Sequence, residues 1–393
     1  MKDAKVTRRE FVRNSAVAAA GVAAGLTPTY TVHAGNPAGE DTSKILNYNE
    51  QMEYRRGGKT DLMFSAVCLG GHWKRVNAVV PGLFEGGRWL GAPIDNPDFQ
   101  KNRREVVSRC IDRGINFIDA CTGEEVMTYA RALRGRRDKM YFGYSWYQNE
   151  IRRGGWRSFE RLKESFDNGL KRAELDYVDV WRVTMHERSG RHSEGEVEEM
   201  MKALEWAKKS GRARFTGVSS HDRPHIKWMV ETYPDQMEVV VTPYSARTRM
   251  ADPEAVADPE EVEEGRSAGY VGGMPAGEEP LWVTFQKYDV AWFGIKPFAS
   301  NALFKGDSSP DNPHAEEDNR IARLTIRAIL TNPIITAPIP GLISPEQVDN
   351  ISIAVLQRQE LDAQEQAELD AATDRAFANL PHQYQWLKDW DYV

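Results

Sequence analysis

From Ser65 to Pro340, eight short apolar runs alternate with amphipathic stretches. The runs are "SAVCLGG", "INFIDA", "KMYFGYSW", "DYVDVWRV", "RFTGVSS", "MEVVVTPYS", "VAWFGIKPF" and "PIITAPIP". Runs this short and this apolar are buried on both faces, which is the mark of parallel strands covered by helices. Between them, apolar residues recur at helical spacing near 99–113, 124–133, 156–173, 195–210, 221–232, 318–330 and 344–354. Eight such units predict an α/β fold of the closed (β/α)8 TIM barrel type. "EYRRGGKTDLMF" adds an N-terminal hairpin turning at Gly57 and Gly58, and 361–377 adds an extra C-terminal helix. No G-x-G-x-x-G follows the first run, which argues against a doubly wound dinucleotide fold.

A barrel of this kind works at the C-terminal ends of its strands. Asp119 ends the second run there. In the fourth run, alternation puts Val178, Val180, Arg182, Thr184 and His186 on one face. An inward Arg182 needs a carboxylate partner, and Asp119 is the expected one. Tyr144 is offset by one residue from Ser145, so it is expected to face the other way. Ser344 opens a helix with Gln347 three residues on, a capping-box spacing. With Gly341 it makes a helix N-terminus suited to a phosphate. Long insertions follow two strands, at 72–97 and at 246–279, the second with the acidic run "DPEEVEEG"; both read as solvated loops or lids.

The N-terminus has a different character. "TRREFVR" places two adjacent arginines ahead of the weakly apolar "SAVAAAGVAAGL", and Val32 and Ala34 sit at −3 and −1 of a cleavage site. Residues 1–34 are therefore expected to be a twin-arginine export signal, 35–51 a linker and 52–393 the barrel. The twin-arginine machinery is then a partner, and the destination is periplasmic or extracellular. A net charge of −7 argues against nucleic acid as a partner. No apolar run reaches the roughly 18 residues that a membrane helix needs. The three cysteines describe neither a disulfide framework nor, without any C-x-x-C, a metal cluster, and all three read as small buried hydrophobes.

Five segments in order, "MEYRRGGKTDLMFSAVCLGG", "DRGINFIDA", "LDYVDVWRV", "GRARFTGVSS" and "PIPGLISPEQVDNI", together resemble the aldo-keto reductase family over Met52 to Ala354. The resemblance implies a (β/α)8 barrel that binds NADP(H) or NAD(H) at its C-terminal rim. It also implies reduction of a carbonyl on a small molecule by an Asp/Tyr/Lys/His tetrad. Asp119 falls on the family's aspartate. Thr122, Ser145 and Thr184 stand where the tyrosine, lysine and histidine should be. A non-standard proton donor is expected instead: His186, two residues beyond the histidine position, or a lid residue. Arg182 is expected to replace the lysine's contact with Asp119.

For the cofactor, the resemblance implies Gly70, Gly71, Ser219, Tyr244, Lys296 and Phe298 at the rim. Gly341, Ser344, Gln347 and Asn350 are implied near the adenosine. Ser220 and Val241 depart from the asparagine and glutamine usual in the family. Two rivals to hydride transfer remain open. His72, Trp73, Trp146, Trp181 and Phe298 form an aromatic set that suits a barrel binding a sugar-like ring. Asp119 with His186 suits a non-redox lyase or isomerase.

Overall fold

The computed structural model describes residues 41–84, 93–251, 270–271, 274–275, 279–357 and 360–393. The expected export signal, the first part of the linker and most of the 246–279 insertion lie outside the described residues.

The hairpin pairs β1 (Tyr54–Arg56) antiparallel with β2 (Met63–Ser65), Tyr54 opposite Ser65. The eight barrel strands are β3 (Leu69–Gly70), β4 (Phe117–Ala120), β5 (Tyr141–Tyr144), β6 (Val178–Thr184), β7 (Ala213–Ser219), β8 (Val239–Pro243), β11 (Ala291–Ile295) and β12 (Ala337–Ile339). They form one eight-stranded sheet, every neighbouring pair parallel. The short strands β9 (Tyr270–Val271) and β10 (Met274–Pro275) pair apart from it. Two backbone hydrogen bonds bring the outer strands together: Cys68 N–H donates to Pro338 O at 3.0 Å, and Gly70 N–H to Pro340 O at 2.8 Å. The expected TIM barrel is therefore the fold.

Strand alternation assigns the two walls. Phe117, Tyr141, Val180, Val239, Phe293 and Ala337 fill the interior. Phe64 of the hairpin plugs its N-terminal end, with ring centroids 5.1, 5.4 and 5.0 Å from Phe117, Tyr141 and Phe293. The residues between them turn outward onto the helices. Trp181 stacks on Phe166 of α3 (Phe159–Ala173) at 4.0 Å, and Tyr144 meets the same ring edge-on. The barrel is tight enough that a Cβ on Gly217 would lie 1.7 Å from Val239 O.

The other helices are α1 (Pro97–Asp112), α2 (Gly123–Ala132), α4 (Glu194–Lys209), α5 (Arg223–Thr232), α6 (Leu281–Lys287), α7 (Ala315–Leu330), α8 (Pro345–Leu356) and α9 (Ala363–Ala378). Side-chain caps start all but α6 and α7: Thr122 Oγ1 accepts from Glu125 N–H, and Ser193 with Glu196 closes a full capping box. Ser344 accepts from Gln347 N–H as expected, but Gln347 Oε1 reaches Ile343 N–H, one residue beyond the box.

Two elements were not legible in the sequence. Helix α6 is too short to show a period. The stretch His382–Trp390 becomes a 3-10 helix, laid beside the loops after β7 and β8. Arg249 N–H donates to Asp391 O at 2.7 Å, Arg247 pairs with Asp391 at 3.0 Å, and Trp386 stacks on His221 at 4.1 Å. These partners are more than a hundred residues away in the chain, so no local pattern announces them.

Candidate active site

Asp119 and Arg182 meet at the mouth of the barrel. Arg182 Nε donates to Asp119 Oδ1 at 2.7 Å and Nη2 to Oδ2 at 2.6 Å, a bidentate pair with both residues buried. The register puts them there, since Asp119 lies beside Gly143 of β5 and Gly143 beside Val180 of β6. Burial works against the guanidinium's charge, but the carboxylate outweighs it and the Arg182 pKa is raised. The remaining arm, Nη1, donates to Thr184 Oγ1 at 2.6 Å and touches Cys121 Sγ at 3.7 Å. Cys121 therefore does not sit in the core as expected. It lines the cavity, while Cys68 and Cys110 are buried.

Ser145 and Thr184, at the family's lysine and histidine positions, bond to each other at 2.8 Å. Both are tied to Glu150, a buried carboxylate that no sequence pattern singles out. Glu150 accepts from Ser145 Oγ (2.6 Å), Thr184 N (2.9 Å), Trp146 N (3.0 Å) and Trp181 Nε1 (3.1 Å). Burial pushes its pKa up, and the four donors offset only part of that.

A second carboxylate, Glu125, lies against the first strand's end. Its oxygens accept from His72 N (2.6 Å), His72 Nδ1 (2.7 Å) and Cys121 N (2.7 Å). Burial alone would raise its pKa, but the imidazole and the N–H donors hold it below the usual range. Gly71 must be glycine here, since a Cβ would come within 2.0 Å of Glu125 Cδ. From the sequence, Glu125 reads as an ordinary first-turn helix acid.

One cavity of about 640 Å³ runs from Asp119, Cys121 and Arg182 to the N-terminus of α8. Gly70, Gly71, Ser219, Lys296, Phe298, Gly341, Ser344, Gln347 and Asn350 all line it. Asn350 is also engaged, accepting from Arg323 Nη1 at 2.5 Å and donating to Asn319 O at 3.0 Å. Beneath, Arg103 donates to Leu342 O and Ile343 O, each at 2.8 Å, and holds the turn into α8. Lys74 also lines the cavity, hydrogen-bonded to the Tyr384 hydroxyl of the C-terminal stretch, and burial brings its pKa down to about 7.

Tyr244 is a correction. It shares the outward parity of Val240 and Thr242, packs edge-on against Trp292 at 5.1 Å, and its hydroxyl accepts from Asn332 Nδ2 at 3.0 Å. It does not line the cavity. Neither does His186, whose Nδ1 accepts from Arg188 N–H at 3.1 Å and whose own N–H points to His192 Nε2 at 3.4 Å. The chain leaves β6 before His186, so strand alternation no longer aims it inward. Of the aromatic set, only His72 and Phe298 line the cavity. Trp73 donates to Tyr129 OH at 2.8 Å, and Trp146 lies against Gly123.

The histidines near the mouth make a prediction. Burial, helped by Arg157, lowers His192 to about 4, and burial, helped by Lys296, lowers His221 to about 3. Between an unfolded value of about 6.5 and these folded values, the unfolded chain binds protons that the folded one refuses. The stabilisation is complete above about pH 6.5 and is lost as pH falls through that window. The melting temperature should drop between pH 7.5 and 4.5, and less so in H192Q. An equal drop in H192Q and wild type would remove His192 from the account.

Known proteins with this pattern are consistent in kind. Residues 87–258 match the model of the aldo/keto reductase family. L-glyceraldehyde 3-phosphate reductase of Escherichia coli (strain K12) is 28% identical over 198 residues, 46% of this chain and 49% of that one. Aldo-keto reductase YhdN of Bacillus subtilis (strain 168) is 29% identical over 145 residues, 34% of this chain and 42% of that one. The matches thus span about half the length of these relatives or less. Among solved structures, aldo-keto reductase AKR11C1 from Bacillus halodurans in its holo form has a TM-score of 0.54 at 20% identity, covering 85% of this chain and 99% of that one. An aldo-keto reductase from Klebsiella pneumoniae in complex with NADPH has a TM-score of 0.53 at 17% identity, covering 81% and 94%. At such identities the structures speak for the fold, and the family match and the sequence relatives show that part of this chain is similar to the aldo/keto reductase family.

Proposed function

We infer that the protein is an exported oxidoreductase that uses NADP(H) or NAD(H) to reduce a carbonyl, or oxidise an alcohol, on a small substrate. The observation that carries this is the single cavity joining the Asp119–Arg182 pair to the N-terminus of α8. The lining suits the cofactor. Ser344 and the N-terminus of α8 offer a phosphate site, Lys74 brings positive charge, and Gly341 lies so close to Gly71 O that a Cβ would meet it at 2.6 Å. Bound there, a nicotinamide supplies or accepts hydride. The protein's own part is to hold the substrate beside the Asp119–Arg182 pair, exclude water, and stabilise charge on the oxygen. Arg182 keeps Asp119 paired, taking over only the contact that the family's lysine makes with it. The names of the two sequence relatives, both reductases, support the reductive direction.

The test is fluorescence titration of the purified mature chain with NADPH and NADH, followed by coupled turnover of an aldehyde and ketone panel. Saturable binding with turnover is expected. The closed Ser145–Thr184–Glu150 network favours a second reading, a barrel that binds ligands without hydride transfer, because it leaves no titratable group at two tetrad positions. Binding without turnover of any substrate would select that reading. Export rests on Arg8, Arg9 and the apolar stretch after them. R8K/R9K should retain the protein in the cytoplasm, and unchanged fractionation would remove the twin-arginine assignment.

A further inference from the structure

The missing tyrosine and lysine leave two jobs undone in carbonyl reduction: giving the oxygen a proton, and stabilising its negative charge. Lys296 is placed to do both. It follows β11, on a different strand from every tetrad position, and lines the same cavity as Asp119, Cys121, Arg182 and Ser219. Its backbone is in the left-handed region, φ 64°, which an L residue adopts at a cost and which recurs at functional sites. The same loop holds Ala299, Ser300 and Asn301 at φ 46°, 58° and 73°. Among the described residues, the Lys296 ammonium makes no ion pair and no side-chain hydrogen bond. The titratable groups that face it are Cys121 and Glu125 beside β4, Arg182 on β6 with Glu187 after it, and Lys74 and His221. Of these, Cys121, Arg182 and Lys74 line the same cavity. Burial lowers the ammonium's pKa, which makes it a readier donor. An ordinary lysine titrates near 10.4 and a tyrosine near 10, so the acid strengths are matched to begin with.

The geometry points to Lys296 as the catalytic acid that replaces both the tyrosine and the lysine of the family's tetrad. This rests on the oxidoreductase reading above. In reduction, hydride adds to the carbonyl carbon, the C=O π pair moves to oxygen, and that oxygen takes a proton from the Lys296 ammonium. Alcohol and neutral amine result, and the amine regains its proton from water. As a cation the group also stabilises the developing alkoxide before the proton moves.

The test compares wild type with K296M and K296R in NADPH affinity and in kcat against pH. Competitive acetylation of the free protein, mapped by peptide mass, is measured with and without NADP+. The expected result is a fall in kcat of about 10²- to 10⁴-fold in K296M with near-unchanged NADPH affinity. The wild-type reductive rate should decline at high pH with a midpoint below the ordinary lysine value, and this limb should be absent from the residual rate of K296R. Acetylation of Lys296 should show the same lowered midpoint and persist with NADP+ bound. Full shielding by NADP+, with weakened NADPH affinity and unchanged kcat in K296M, would assign the ammonium to the cofactor's pyrophosphate and overturn the proposal alone. Wild-type protein that neither binds a nicotinamide nor turns over a carbonyl would overturn the functional reading and the lysine's role together.

Discussion

Replacing Asp119 with alanine leaves the Arg182 guanidinium buried without its carboxylate and costs about 3–5 kcal/mol of stability. The cost comes from the orphaned charge rather than from the pair's own worth. Taking both ions out of water offsets most of their attraction, so the intact pair contributes far less than its rupture removes. The double variant D119L/R182M, apolar on both sides, should therefore recover most of what D119A loses. Urea unfolding of the three proteins decides it. A D119A curve that overlays wild type would mean that Arg182 finds water or another acceptor in the cavity. Turnover should be abolished in D119A and in the double variant alike, so stability and activity separate between them.

Glu150→Leu is expected to be as damaging. Four donors converge on that carboxylate, from Ser145, Trp146, Trp181 and Thr184, and leucine satisfies none of them. At about 1–3 kcal/mol for each buried donor left unmade, the loss is about 4 kcal/mol or more. Glu150→Gln keeps one acceptor oxygen and sets an NH2 group against the other donors, so it should fall between wild type and leucine. Thermal unfolding ranks them. If E150Q and E150L melt together with wild type, Glu150 does not hold the ends of β5 and β6, and the account of Ser145 and Thr184 goes with it.

The two variants also mark where the sequence stopped being readable. Arg182 and Asp119 were paired from alternation within one strand and the position of a carboxylate at the end of another. A strand has a period of two, and a parallel barrel aligns strand ends, so the inference needed no distant information. His186 failed under the same logic because the strand ends at Thr184 and the period ends with it. Tyr244 failed by parity, since it belongs with Val240 and Thr242 on the helix side. Glu150 sits in a loop, where no period applies. Glu125 looks from the sequence like a helix-start acid, and only the approach of Gly71 and His72 turns its carboxylate inward.

By itself the sequence determined the closed barrel, its N-terminal hairpin, the helix start at Ser344, and the buried ion pair at its mouth. Each follows from short-range periodicity, from a cap within four residues, or from the rule that a buried charge needs a partner. Only the tertiary structure decided which polar side chains share the cavity with that pair. It put Lys74, after β3, beside Tyr384 of the stretch His382–Trp390 at one mouth, though they come from opposite ends of the chain. Closure of the ring sets those neighbours, and closure is a sum over all eight strands that no local window contains.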